Sequence, residues 1–276
     1  MKKVAWSLLG FFVIFLGAMF GNSSIGSVIA QEETRYGMDY ENAIPTGIQT
    51  ENIYYSQKAD NESIIATMVP KYHDTNGLTQ LCAVVAGASA IGYFDLYYEN
   101  LIPNFEPARV IAGKTIFKNT GAEIQTLIGD LYQAMGTTAT GTTYDGFKAG
   151  MASYVNEHGY SFQSVEFGTD HAAVRSWINS DKPVALFLLN EFHLIGSGEI
   201  MENGTYDSYQ IHNFTGNHVV LAFGYRTITY YNADGTLKEN HRLYRVFTGI
   251  NDMSYGYVDL ERSLTFGGVL GLGVVE

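Results

Sequence analysis

Two uninterrupted apolar runs in the second half of the chain constrain its fold more than any other feature. Residues 183–189 read PVALFLL, and residues 218–225 read HVVLAFGY. Apolar runs of this length, bounded by turn-forming residues, are typical of strands that are buried on both faces of a sheet. Residues 227–231 and 242–248 flank a loop with Asp-Gly at residues 232–235, which indicates a hairpin. The second half is therefore predicted to form a sheet.

The first half has the period of helices instead. Apolar and small side chains recur at spacings of three and four through residues 82–100, and Thr79 stands where an N-cap residue is expected. Further helices are predicted at residues 123–135, 141–158 and 172–179. Helices followed by strands predict an α+β fold, in which a helical lobe packs on an antiparallel β-sheet lobe.

The N-terminus has the pattern of a secretory signal peptide. Lys2 and Lys3 precede a run of about 17 apolar residues, and small or aliphatic residues then lead to Ala30. The same run lies near the lower limit for a helix that crosses a bilayer, so an uncleaved anchor is the alternative. The cleavage site favours removal of residues 1–30, which predicts a secreted bacterial protein without stable membrane insertion.

The rest of the chain divides by composition. Residues 31–66 are polar with little periodicity, which predicts a propeptide or an extended arm, and residues 67–276 are predicted to form one domain. The net charge of −12 becomes −14 when Lys2 and Lys3 are lost with the signal peptide. Because nucleic-acid binding depends on lysine and arginine, this acid excess argues against a nucleic-acid partner.

Cys82 is the only cysteine, so an internal disulfide is excluded. The thiol is either an inert, packed side chain or a reactive one. Its predicted place in the first turn of a helix favours reactivity, because unpaired backbone N–H groups and the helix dipole stabilise a thiolate. A thiolate nucleophile needs a base, and His218 stands at the opening of a buried strand, where a cleft between the lobes can hold it. The alternative for His218 is an ordinary histidine at a strand end.

Both segments resemble those of a known enzyme family. Residues 82–88 (CAVVAGA), running on to Asp95, resemble the nucleophile helix of papain-like cysteine peptidases, in the secreted bacterial branch related to the double-glycine leader peptidases. Residues 218–225 are similar to the histidine strand of that family, and the nucleophile precedes the base in the same order. The resemblance implies a papain-like α+β fold and a cysteine peptidase, with Cys82 as nucleophile and His218 as base.

The resemblance also implies two supporting groups. The family orients its histidine with an Asn or Asp on the following strand, which here points to Asn251 or Asp252; a turn-forming Asn-Asp pair is the alternative. The family binds the oxyanion with an upstream amide, here Asn76 or Gln80, beside the backbone N–H of Cys82.

The predicted function is hydrolysis of peptide bonds through a thioester, with a peptide or protein as substrate and no cofactor. Two alternatives stay open: a secreted binding module of the same fold with Cys82 as a packed thiol, and an amidase that acts on cell-wall peptides. His171, His193 and His212 lack the close helical spacing that marks a metal site, so no metal is predicted.

Overall fold

The computed structural model describes residues 39–40, 43–65, 67–250, 253–260, 262 and 266–276. The helices within these residues are α1 (Cys82–Phe94), α2 (Ala122–Ala134), α3 (Tyr144–Glu157) and α4 (His171–Ile178). The strands are β1 (Asp39–Tyr40), β2 (Ile44–Tyr54), β3 (Gln57–Ile64), β4 (Ala108–Ile111), β5 (Lys114–Phe117), β6 (Thr142–Thr143), β7 (Ser161–Glu166), β8 (Val184–Leu188), β9 (Glu191–Glu202), β10 (Tyr206–Thr215), β11 (His218–Tyr231), β12 (Leu237–Ile250), β13 (Met253–Asp259) and β14 (Phe266–Val275). The predicted signal peptide, residues 1–30, lies outside the described residues.

One large antiparallel sheet organises the molecule. Nine of its strands follow the order β2-β10-β9-β13-β12-β11-β8-β14-β7. The tenth, β3, pairs with residues 224–231 of β11, beside the stretch 218–222 that pairs with β8. Strand β11 therefore has β12 on one side and both β8 and β3 on the other, which makes it the central strand of the fold.

The predicted fold class is wrong. Strands account for 48% of the described residues and helices for 21%, so the fold is β-rich and not the papain-like α+β arrangement of a helical lobe on a sheet lobe. The difference comes from polar stretches that form β2, β3, β9 and β10. Their exposed faces and shifts of register break the two-residue alternation by which strands are recognised.

Helix α1 begins at Cys82, which confirms its predicted start, but its N-cap residue and its C-terminal end differ from the prediction. It ends at Phe94 rather than at residue 100, and its N-cap residue is Leu81 rather than Thr79, with no side-chain cap hydrogen bond. The other three predicted helices begin and end within three residues of the observed ones. No helix among the described residues is both long enough and apolar enough to cross a membrane.

Every residue of α1 is buried, because the helix packs against β11 and β12 and also against α2 and α3. Small side chains make this close approach possible. A Cβ atom at Gly92 would lie 2.4 Å from atoms of the Tyr72 side chain, so only glycine fits there. The sequence thus sets Cys82 at the start of a helix that is held on all sides.

Residues 44–64, within the segment predicted as a propeptide or extended arm, form two strands of the main sheet. Strand β2 pairs along its length with β10, and β3 pairs with β11. The Lys58 ammonium lies 2.9 Å from the buried carboxylate of Asp207, and Arg226 binds Asp60 through two guanidinium nitrogens. The segment is therefore fixed to the domain by backbone pairing and by ion pairs.

The hydrophobic residues form two cores. The main core lies between the helices and strands β8, β11 and β14. The second core is smaller and draws its side chains from β2 and from β9 to β13; they are Ile53, Ile195, Tyr209, Ile211, Ile228, Tyr230, Leu243 and Tyr257. Because six strands contribute to so small a cluster, this part of the sheet wraps around it.

Candidate active site

The thiol of Cys82 lies at the N-terminal end of α1. The first hydrogen bond of this turn runs from the Val85 N–H to the carbonyl of Leu81, at 2.8 Å. The N–H groups of a first helical turn have no acceptor within the helix, and they carry the positive end of its dipole. This turn contains no acidic residue. Cys82 therefore occupies the position in which a thiolate is favoured, although its side chain is only 1% exposed.

His218 is the first residue of β11, as predicted, and is 1% exposed. Its Nε2 lies 2.7 Å from the backbone carbonyl oxygen of Thr248 on β12. A carbonyl oxygen can only accept, so Nε2 carries the hydrogen. In the neutral imidazole the lone pair then belongs to Nδ1. The carbonyl thus fixes the tautomer in which Nδ1 is the basic nitrogen.

The short segment Thr248–Gly249 connects the surroundings of the two side chains. Its Thr248 carbonyl binds His218, while Gly249 lines the same cleft as Cys82. A Cβ atom at Gly249 would lie 3.3 Å from Cγ2 of Val85, in the first turn of α1. The base is therefore bonded to Thr248, and the thiol shares a cleft with the adjacent residue, Gly249.

The end of β12 is held in this conformation by local hydrogen bonds. The Thr248 hydroxyl donates to the carbonyl of Met253 and accepts from the N–H of Ile250, the latter at 3.0 Å. Gly249 has φ +70°, a left-handed conformation in which a side chain costs about 1 kcal/mol or more. On its other side, the His218 ring stacks on Phe192, with ring centroids 5.5 Å apart. The imidazole is thus fixed by a hydrogen bond and by a ring contact.

The cleft beside Cys82 has a volume of about 370 Å³. The residues that line it with Cys82 are His73, Asp74, Thr75, Gly77, Leu78, Leu81, Val85 and Gly249. Gln125 on α2 anchors this loop, because its side chain accepts from the Thr75 N–H at 2.8 Å and donates to the His73 carbonyl at 3.0 Å. An Asp74 oxygen accepts from the Leu78 N–H at 2.8 Å and closes the loop. One wall of the cleft is therefore an ordered loop.

The other predicted site residues are Asn251, Asp252, Asn76 and Gln80. Asn251 and Asp252 lie outside the described residues. Asn76 is exposed, and Gln80 is half-buried with a left-handed backbone, φ 59°. Neither amide belongs to the described lining of the Cys82 cleft, so the predicted oxyanion role of Asn76 or Gln80 stays a prediction.

The group that the sequence did not identify is the Thr248 carbonyl. Sequence patterns report side chains, and a backbone oxygen has none. The only available signal was the position itself, on the strand after the histidine strand, where the resemblance places an orienting group. Among the described residues, the acceptor of the Nε2 hydrogen is this main-chain oxygen, and the predicted role of Asn251 or Asp252 stays a prediction.

The remaining histidines have other partners. His171 Nδ1 lies 2.9 Å from the Tyr244 hydroxyl, His193 Nδ1 lies 2.7 Å from Asn213 Oδ1, and His212 pairs with Glu199. Within the described parts of the chain, no three His, Cys, Asp or Glu side chains are grouped to hold a metal ion.

Tyr255 on β13 donates its hydroxyl hydrogen to the Val69 carbonyl at 2.5 Å. Burial raises the pKa of Tyr255 to about 12, so this hydroxyl stays protonated and keeps its role as a donor. This hydrogen bond joins β13 to the segment that leads into the loop beside Cys82.

Comparison of the chain with protein-family models, with curated proteins and with solved structures found no match.

Proposed function

We propose that this protein is a secreted cysteine peptidase, which hydrolyses peptide bonds through a thioester on Cys82. The proposal is carried by the 2.7 Å contact between His218 Nε2 and the Thr248 carbonyl, because the next residue, Gly249, lines the Cys82 cleft. An activated thiol nucleophile requires a thiol in a position that favours the thiolate and an oriented imidazole within reach of it, and the proposal assigns these roles to Cys82 and His218.

In the proposed reaction, Nδ1 of His218 takes the proton of the Cys82 thiol, and the sulfur attacks the carbonyl carbon of the substrate. Backbone N–H groups at the start of α1 stabilise the oxyanion. The C–N bond then breaks, and the imidazolium gives its proton to the leaving amine. Water attacks the remaining thioester while His218 takes its proton, which releases the carboxylic acid and restores the thiol.

The Thr248 carbonyl has a constant role in these steps. It accepts a hydrogen bond from Nε2 whether His218 is neutral or protonated, and this bond becomes stronger when the ring is charged. A neutral acceptor stabilises the imidazolium less than a carboxylate does. The proton on Nδ1 is therefore held loosely enough to pass to a leaving amine.

One observation favours a second function. The side chain of Cys82 is only 1% exposed, as expected of a thiol that serves packing. In that case the protein is a secreted binding module, and its clefts hold a ligand without chemistry. The two functions differ in the reactivity of the thiol.

Alkylation of Cys82 by iodoacetamide between pH 5 and 9, followed by mass spectrometry, separates the two functions. We expect labelling near neutral pH in the native protein, and a labelling rate at least tenfold lower in His218→Gln. The native protein should cleave casein, and the Cys82→Ala variant should not.

The matched control is His158→Gln. His158 also bonds a backbone carbonyl, that of Tyr154 at 2.7 Å, but it lies at the end of α3. Its substitution should leave the labelling rate unchanged. A thiol that is labelled only after unfolding, in every variant, would exclude the peptidase and favour the binding module.

A further inference from the structure

A second and larger cleft, of about 570 Å³, lies near the candidate active site. Its lining includes the charged or titratable side chains of Lys71, Glu199 and His212 and the aromatic rings of Phe214 and Tyr255. This combination of apolar walls and a few polar groups is typical of a ligand site. We call it the Lys71 cleft.

The Lys71 cleft adjoins the site on two sides. Ile250 lines it, while the preceding residue, Gly249, lines the Cys82 cleft. Phe214 lines it as well and stacks on Phe192 at 5.2 Å, and Phe192 in turn stacks on His218. The two clefts are therefore lined by consecutive residues of β12, as is required if one bound chain is to occupy both.

The charges in this cleft are not equivalent. Both carboxylate oxygens of Glu199 contact His212 Nε2, at 2.9 and 2.8 Å, and one also accepts from the Gly196 N–H at 2.7 Å. The Glu199 carboxylate is thus already hydrogen-bonded within the protein. Lys71 differs, because its ammonium lies 5.3 Å from the centre of the Tyr255 ring and forms no ion pair with the described residues.

We infer that the Lys71 cleft is a substrate subsite that binds a carboxylate of the peptide, with Lys71 as the group that selects it. This inference rests on the proposed peptidase function and names its substrate class: peptides with an acidic side chain or a free C-terminal carboxylate near the cleaved bond. The ammonium can donate to the carboxylate, and the Phe214 and Tyr255 rings pack against the adjoining chain.

The charge of the whole protein sharpens this selection. With a net charge of −12, the protein as a whole repels acidic peptides. An ammonium that has no ion pair with the described residues and lies in an aromatic-walled cleft gives such peptides a preferred location. Screening by salt should weaken the preference for the acid more than the binding of its amide.

The experiment uses two peptide sets in which a single Glu, or Gln in its place, is moved from position to position on both sides of the cleaved bond. A further pair carries a C-terminal acid or amide. Equilibrium binding is measured by fluorescence anisotropy on the Cys82→Ala protein, and kcat/KM is measured on the native enzyme. At one position we expect the acid to be preferred about tenfold over the amide in binding.

Lys71→Met should abolish this preference, and Lys71→Arg should retain it. The matched control is Lys118→Met, because Lys118 also lies over an aromatic ring, that of Phe105 at 4.7 Å, but not in this cleft. Equal binding of acid and amide peptides to the Cys82→Ala protein, or loss of the preference in Lys118→Met as well, overturns the subsite. Because binding is measured without turnover, an unreactive Cys82 would overturn the peptidase function and leave the carboxylate site to be judged by binding alone.

Discussion

His218 and His241 are buried in the same sheet to nearly the same extent, 1% and 2% exposed, yet their surroundings differ. His218 opens β11 and bonds a backbone carbonyl. His241 lies on β12 against Tyr209 and Tyr230 of the second core, between the carboxylates of Asp259 at 2.9 Å and Glu239 at 2.8 Å. The same side chain therefore meets a neutral acceptor in one place and two anions in the other.

The partners of His241 act on its protonation. Burial disfavours the charged form of His241, but the hydrogen bond and the charge of Asp259, together with those of Glu239, outweigh it and raise the pKa of His241. His241 is thus suited to be a structural cation. A carbonyl partner does not hold a proton on His218 in this way, so this ring is suited to exchange one. The difference teaches that the partner, and not burial alone, decides what a buried histidine can do.

The largest expected effect comes from His218→Gln. The amide nitrogen of glutamine can replace Nε2 as donor to the Thr248 carbonyl, so the fold is kept while the base is lost. We expect kcat/KM for peptide cleavage to fall by about 10²- to 10⁴-fold. Urea unfolding serves as control, and a loss of unfolding free energy as large as that of a His241 variant would remove the distinction between the two sites.

The reciprocal change, His241→Asn, should act on stability. Its amide nitrogen can replace Nδ1 as donor to Asp259, but the positive charge between two carboxylates is lost. We expect the free energy of unfolding to fall by about 3 kcal/mol, as for a broken buried ion pair. Urea denaturation measures this loss, and alkylation of Cys82 should proceed at the native rate below the unfolding transition. A slowed alkylation would show that the two histidines are coupled.

A smaller effect is expected from Gly249→Ala, which tests the turn that His218 depends on and His241 does not. The left-handed φ of +70° and the 3.3 Å approach to Val85 both oppose a Cβ atom. We expect a loss of about 1–2 kcal/mol in unfolding free energy and a lower alkylation rate of Cys82. The comparison variant is Gly235→Ala, at φ +79° in the β11–β12 loop, which should lose stability without a change in alkylation.

The smallest effect is the pH dependence that His241 adds to stability. Its folded pKa is raised above the ordinary value of 6.5, so the folded state binds this proton more tightly than the unfolded state. The stabilisation is complete below about pH 6.5 and is lost as the pH rises through the folded pKa, with a slope of at most about 1.4 kcal/mol per pH unit. Urea unfolding from pH 5 to 9 should show native and His241→Asn curves that converge at high pH. Parallel curves would mean that His241 is neutral in the fold.

The sequence predicted local elements better than their arrangement. Apolar periodicity predicted the start of α1 at Cys82, and an uninterrupted apolar run predicted the buried strand of residues 184–188. Both elements contribute to the main core. Strands β9 and β10 were not predicted, because buried and exposed side chains do not alternate evenly along them and a register shift falls between Tyr209 and Ile211. Without these strands the share of helix in the fold was overestimated, and the predicted fold class was therefore wrong.

The candidate site divides in the same way. Cys82 and His218 could be selected from the sequence, since each stands at the start of an element with a strong pattern. The acceptor that orients His218 could not, because a backbone carbonyl is the same in every residue. The contact of Lys71 with the Tyr255 ring and the pairing of Glu199 with His212 depend on contacts between distant segments, and no local pattern records them.

The pairing of β3 with β11 has a consequence for how the chain is made. The partners Asp60 and Arg226 are 166 residues apart, so β2 and β3 leave the ribosome long before the strands that receive them. Until those strands are synthesised, the segments of β2 and β3 have no pairing partners. Their content of Glu, Asn, Thr and Lys keeps them hydrated and discourages pairing with other chains during that interval. Strands β2 and β3 are therefore among the first parts of the domain to be synthesised and among the last to pair with the sheet.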